Sequence, residues 1–169
     1  ARVTLPAGRL NPHAAILPHL RARAEAARAT EQVRAAEPMP LRQFLREGWL
    51  AFWGQGRPLA EGWYVDAIAD FLAAVWRGEL PDAVINIPPR HGKSTVASVL
   101  FPAWGWTQAP QHEWLYGSHK RTLAERDSVR CRRLLRSPWY QQRWGSLVQL
   151  AGDQNTKGDF DNVAGGKRL

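Results

Sequence analysis

"INIPPRHGKSTVASVL", Ile85 to Leu100, changes character twice within sixteen residues. A short apolar, β-branched run, Ala83 to Ile87, leads to Pro88-Pro89 and then to the basic knot Arg90-His91-Gly92-Lys93. From Ser94 to about Leu100 the composition suits a helix. The apolar run predicts a buried strand of a parallel sheet, because strands covered on both faces read as continuous hydrophobic runs. A Gly-Lys-[Ser/Thr] tripeptide arises by chance in roughly one chain in twelve of this length, so the tripeptide alone carries little weight. Its position does carry weight. Between a strand and a helix, backbone N–H groups and the positive end of the helix dipole converge on a phosphate. Gly92 lets the backbone approach the phosphates, Lys93 sets a point charge against the β- and γ-phosphates, and Ser94 offers a hydroxyl to Mg²⁺. Thr95 adds a hydrogen bond. Pro89, Arg90 and His91 complete the loop, with Arg90 as a phosphate contact or sensor. The standard pattern G-x-x-x-x-G-K-[ST] has glycine where this chain has Ile87, so Pro88-Pro89 shape the loop by fixing φ rather than relaxing it. The alternative reading is a tight strand-to-helix turn with an exposed lysine.

On either side of the loop the period of the apolar residues differs, helical before it and strand-like where it begins. Upstream, Leu41 to Trp53 predicts a helix with Leu41, Phe44, Leu45 and Trp49 on one side, ended by Gly54 to Pro58. Trp63 to Trp76 predicts another, with Ile68, Phe71, Leu72 and Val75 sharing a face, stopped by Gly78 and Pro81. Downstream, Glu113 to Gly117 reads as a second strand. Thr122 to Arg136 reads as a long helix opened by the capping box Thr122-Leu-Ala-Glu125. Ala124, Ser128, Cys131 and Leu135 form its inner stripe, and its arginines face a solvated surface, phosphates or acidic partners. Short strands and turns follow, through Leu147 to Leu150 and Lys167 to Leu169. Before all this, residues 1–40 form an arm: an extended Ala1 to Pro12, a helix-prone stretch to Ala36, and a linker at Glu37 to Pro40. The expected fold is therefore α/β, a parallel sheet with crossover helices over residues 41–169, the sheet incomplete and preceded by the helical N-terminal arm.

Composition narrows the function. The 169 residues carry a formal charge of +8, which points to an anionic partner, nucleic acid first. No apolar stretch approaches the length needed to cross a bilayer, so the expectation is a cytoplasmic protein with no membrane partner. Cys131 is the single cysteine, which excludes an internal disulfide framework and a cysteine-cluster zinc site. Placed among arginines, it is either an activated thiolate or a small packed residue. Nine tryptophans exceed what a small core needs, so some are expected to anchor subunit or partner contacts. Asp153, Asn155, Gly158, Asp159 and Asp161 echo a calcium loop. Lys157 takes a ligand position, however, and Ala164 stands where the bidentate Glu belongs, which argues against calcium.

The segment "INIPPRHGKSTVASVLFPAW", Ile85 to Trp104, resembles the degenerate Walker A loop of the large terminase subunit of tailed bacteriophages and prophages. "WYVDAIADFLAAVWRGEL" is similar to the helix that precedes that loop in the family. "YGSHKRTLAERDSVRCRRLLRSPWY" is similar to the turn, helix and Trp-Tyr ending that follow it, and "DQNTKGDFDNVAGGKRL" to the approach to the next strand. The resemblance covers most of Leu41 to Leu169 in order. It implies an ASCE-type P-loop ATPase that uses ATP and Mg²⁺, the metal held through Ser94, with Lys93 and Arg90 as catalytic residues. It also implies a motor that drives double-stranded DNA into a procapsid in the cytoplasm of the bacterial host. Such a motor works as a homo-oligomeric ring on the portal protein with the small terminase subunit, and carries a following nuclease domain. By position, adenine would lie near Trp63 and Tyr64, although Tyr64 stands where the family has His. The alternative for Trp63 is a core tryptophan. Hydrolysis needs a Mg²⁺-binding acid at the end of a second apolar strand and a Glu that orients water. Neither is visible, since "LVQLAGD" displaces its acid past a glycine. The expectation is a chain cut within the ATPase domain, binding nucleotide with low or no hydrolysis. Two other readings stay open: a helicase-like P-loop lobe, and a non-catalytic basic module docking on DNA or portal with a vestigial loop.

Overall fold

In a computed structural model that describes residues 38–152, 156 and 158–169, the first helix, α1 (Leu41–Trp53), forms where the sequence pattern places it. Leu41, Phe44, Leu45, Gly48 and Trp49 bury one face, and Gly54, at φ 68°, ends it. The expected N-terminal arm, up to residue 37, and Asp153, Asn155 and Lys157 of the calcium-like stretch lie outside the described residues. Helix α2 (Trp63–Trp76) buries Val65, Ile68, Ala69 and Leu72. Arg42 pairs with Asp70 across α1 and α2, and Arg46 reaches Asp66 at 2.9 Å and Glu61 at 3.2 Å. Exposed pairs of this kind add little, so the apolar faces do the joining.

Helix α3 occupies the centre. It runs through residues 93–108 as an α turn (Lys93–Thr95), a π-helical stretch (Val96–Leu100) and an α segment (Phe101–Gln108). Pro102 accounts for the widened stretch, because proline has no N–H and its ring crowds the carbonyl four residues back. Phe101 N–H accordingly donates to Val96 O, five residues back. Every residue from Phe101 to Thr107 is buried, the mark of a helix surrounded by other elements. Helix α4 (Arg121–Leu135) buries Asp127, Ser128, Cys131, Leu134 and Leu135. Helix α5 (Pro138–Trp144) starts with Pro138 in its first turn and Ser137 as cap, whose hydroxyl accepts from Tyr140 N–H at 3.3 Å. Strands β1 (Phe160–Asp161) and β2 (Lys167–Arg168) pair antiparallel, Phe160 opposite Arg168.

This is not the expected α/β fold. Among the described residues there are five helices, one two-stranded antiparallel hairpin and no parallel sheet. Residues 83–87 are extended but make no backbone hydrogen bond to another described segment. Val84 is 88% exposed, while Ile85 and Ile87 lean on the core. The run thus alternates and buries only one side, a pattern that a five-residue apolar stretch does not reveal. Glu113 to Gly117 contributes a single parallel bridge, Trp114 to Arg168. The capping box of α4 also fails to form. The helix starts one residue early, Lys120 caps it without a side-chain bond, and Glu125 instead pairs with Arg121 at 2.7 Å.

The surplus of tryptophans resolves into core. Trp49, Trp104 and Trp106 are buried, and Trp53, Trp76, Trp114, Trp139 and Trp144 pack against them. Buried indoles find carbonyl acceptors: Trp104 Nε1 donates to Met39 O and Trp106 Nε1 to His112 O, each at 2.8 Å. With no parallel sheet among the described residues to supply flat apolar area, large rings fill the space between short helices. Trp63 is the exception, 83% exposed, so it is not the core residue that its type suggested. Cys131 is fully buried, and burial pushes its thiol pKa up, which removes the activated-thiolate reading. Trp106→Ala is expected to cost about 3–5 kcal/mol and Trp63→Ala less than about 0.5 kcal/mol. Urea denaturation of the two variants measures both.

Candidate functional site

The loop Pro88 to Gly92 joins the extended segment to α3, and two left-handed residues turn it. Gly92 sits at φ 79°, and Arg90, at φ 69°, is the one non-glycine with positive φ among the described residues. Non-glycine residues adopt that conformation at a cost, and such strain clusters at functional loops. Between them His91 donates from Nδ1 to Pro89 O at 3.0 Å. Its ring meets Tyr64 edge-on, centroids 5.5 Å apart, and Tyr64 OH donates to Ala60 O at 2.5 Å. The start of helix α2 and the connection that precedes it therefore brace the loop.

Gly92 is demanded twice. Its φ favours glycine, and a Cβ there would lie 3.0 Å from Cζ3 of Trp49. That indole cannot easily give way, because it is 6% exposed and its Nε1 donates to Arg57 O at 2.8 Å. Beyond Gly92, the first turn of α3 has no side-chain cap. The N–H groups of Lys93, Ser94 and Thr95 have no intrahelical acceptor, and they carry the positive end of the helix dipole.

Over the loop lies a cavity of about 400 Å³. Pro89, Arg90, His91, Gly92, Lys93, Ser94 and Thr95 all line it, and Trp49 with the stretch Arg57 to Ala60 forms the facing wall. The loop residues singled out in the sequence are thus brought together around one hollow. Arg57 is the residue that sequence reading missed; its only signal was a turn, "GQGRP", that places a basic side chain. Arg57, Arg90 and Lys93 form no ion pair among the described residues, and no Asp or Glu lines the cavity. Lys93 and Ser94 are exposed and Thr95 is buried. Three cations without a carboxylate focus a positive potential into a concave space, which suits a multiply charged anion.

Arg57 also lies 4.3 Å above the Trp53 ring, which Arg130 of α4 approaches at 5.2 Å. Burial, then Arg126 and Arg57, hold the Arg130 guanidinium below its ordinary pKa. Trp63 and Tyr64 do not line the loop cavity. They border a separate apolar hollow of about 330 Å³ with Phe71, Val84 and Ile87, and only Tyr64 touches the loop, through His91.

Compared with protein-family models, with curated proteins and with solved structures, the chain matches none. The site is therefore read from its own chemistry. Gly92→Ala is expected to lose about 1–3 kcal/mol of stability through strained backbone and a displaced Trp49. Gly92→Asn should be milder than another β-carbon residue of its size, because Asn tolerates the left-handed region. Urea midpoints of both variants, with Trp49 fluorescence as the local report, measure the difference.

Proposed function

We propose that this chain binds the polyphosphate of ATP with Mg²⁺ at the loop Pro89 to Thr95, as the nucleotide-binding part of a viral DNA-packaging motor of the large-terminase type. The observation that carries the nucleotide reading is the loop cavity, with Arg57, Arg90 and Lys93 around it and no carboxylate on its walls. Lys93 neutralises the terminal phosphates and Arg90 approaches them from the left-handed turn. The first-turn N–H groups of α3 receive phosphate oxygens, and Gly92 keeps the approach free of a side chain. The donor set fits a metal that arrives with its nucleotide. Ser94 and Thr95 supply hydroxyls, while no group of three or more His, Cys, Asp or Glu able to hold an ion occurs among the described residues.

The motor reading rests on the ordered resemblance across Leu41 to Leu169 and on the excess of basic charge. Its partners are double-stranded DNA, the portal protein, the small terminase subunit and further copies of the chain in a ring, and its place is the cytoplasm of the bacterial host. No described helix is long and apolar enough to cross a membrane. With no Asp or Glu on its walls, the cavity lacks the carboxylates that hold Mg²⁺ and orient the attacking water in ATP hydrolysis, so binding without measurable turnover is expected of this chain.

Isothermal titration with Mg-ATP tests the proposal. Lys93→Ala should weaken binding at least about tenfold, the worth of one charged hydrogen bond; equal affinity in both proteins would reject it. A second reading, a basic docking module with a vestigial loop, is favoured by α4 and its cap. Six arginines stand there against Glu125 and Asp127, and Arg133 and Arg136 form no ion pair among the described residues. That reading expects no Mg-ATP affinity, with DNA binding that falls steeply with salt and ignores nucleotide.

A further inference from the structure

Pro102 leaves two carbonyls of α3 short of main-chain donors. In an α-helical frame Ser98 C=O would accept from residue 102, which has no N–H; in a π-helical frame Ala97 C=O would accept from the same residue. The α-helical donor for Ala97, Phe101 N–H, is given to Val96 O instead. Buried carbonyls must then find donors elsewhere.

Two side chains from outside the helix supply them. Tyr116 OH donates to Ala97 O at 3.1 Å, and Arg168 Nη2 to Ser98 O at 2.7 Å. The pair is held as a unit. The Arg168 guanidinium lies 4.2 Å over the Tyr116 ring, and Tyr116 N–H donates to Leu169 O at 2.9 Å. Arg168 is 1% exposed, forms no ion pair among the described residues, and leaves Nε and Nη1 without a hydrogen-bond partner. A buried, unpaired cation is costly, and an apolar side chain would avoid that cost. What Arg168 does that an apolar residue cannot is hold Ser98. Tyr116 stays a donor because burial pushes its phenol pKa up.

We infer that Tyr116 and Arg168 are positioning residues of the phosphate site, which hold α3 in its π-helical frame and so set where Lys93 and the first-turn N–H groups point. The second half of α3 is fixed by Trp104 and Trp106 in the core. A change of frame at Val96–Leu100 therefore turns the first turn, Lys93–Thr95, about the helix axis relative to the fixed half. Neither residue touches the cavity, so their effect passes through the helix. The inference rests on the loop being a phosphate site.

The test uses Tyr116→Phe, which removes only the hydroxyl, and Arg168→Met, with Mg-ATP affinity and amide hydrogen exchange of the ligand-free protein as readouts. Tyr116→Phe should speed exchange at residues 93–100 by about tenfold while α1 is unchanged, and weaken Mg-ATP by about 3- to 10-fold, the worth of one hydrogen bond. In a Pro102→Ala background, where residue 102 regains its N–H, Tyr116→Phe should have no further effect on either readout. If Arg168→Met does not fold, Tyr116→Phe and its Pro102→Ala partner decide the matter. Unchanged exchange at residues 93–100, or an undiminished Tyr116→Phe penalty in the Pro102→Ala background, overturns the inference. If wild-type protein binds Mg-ATP and Tyr116→Phe binds it equally, the inference falls and the phosphate reading stands. If wild-type protein does not bind, both fall.

Discussion

Among the described residues, the fold is arranged around the burial on all sides of the second half of α3. A helix whose residues Phe101 to Thr107 are all buried must be wrapped, and the elements available are short amphipathic helices and aromatic side chains. α1, α4 and α5 therefore turn their apolar stripes inward, and Tyr140 OH reaches Ala103 O at 2.9 Å to satisfy a carbonyl in the dry interior. Because the buried half of α3 cannot move, its exposed start is held at a defined place on the surface. The loop before it is in turn obliged to enter from one side.

That entry is where fold and site meet. Trp49 belongs to the core cluster through α1, yet its ring forms the floor beneath Gly92 and its Nε1 holds the carbonyl of Arg57. One indole thus joins the core, the loop and the facing wall of the cavity. The arrangement brings cations from two distant stretches of chain to one hollow and, among the described residues, gives them no counter-ion, a state that an anionic ligand relieves. Behind the loop, the proline that breaks the helical frame supplies a means of holding it, since the carbonyls it orphans are taken by side chains from the C-terminal hairpin and from the stretch before α4.

Local pattern and tertiary placement contributed unequally. The bounds of helices α1 and α2 were legible to the residue, because their apolar spacing and their glycine and proline stops agree. The buried face of α2, however, is Val65, Ile68, Ala69 and Leu72, with Phe71 and Val75 only half-buried. α4 was legible within one residue. Its cap was not, because Glu125 pairs with Arg121 at 2.7 Å and the helix begins at Arg121 without a side-chain cap. The length of α3 was hidden: Pro102, Gly105 and two tryptophans argue against helix by propensity, and tertiary burial overrides them. Arg57 was hidden because nothing local ties a turn residue to a loop thirty-odd positions away.

The chemistry of the loop is complete in its adjacent residues: a glycine where the backbone must turn left-handed, followed by a lysine and two hydroxyls at the start of a helix. The surroundings of that loop are written nowhere locally and were settled by long-range packing. Whether an apolar run such as Ala83 to Ile87 becomes a sheet strand depends on partners that hydrogen-bond to it from elsewhere in the chain. Among the described residues a helix took the central place, because it satisfies most of its own backbone bonds and asks outside donors for the carbonyls that Pro102 orphans, Ala97 and Ser98. The charge of the cavity likewise depended on which side chains that packing brought near and which acids it kept away.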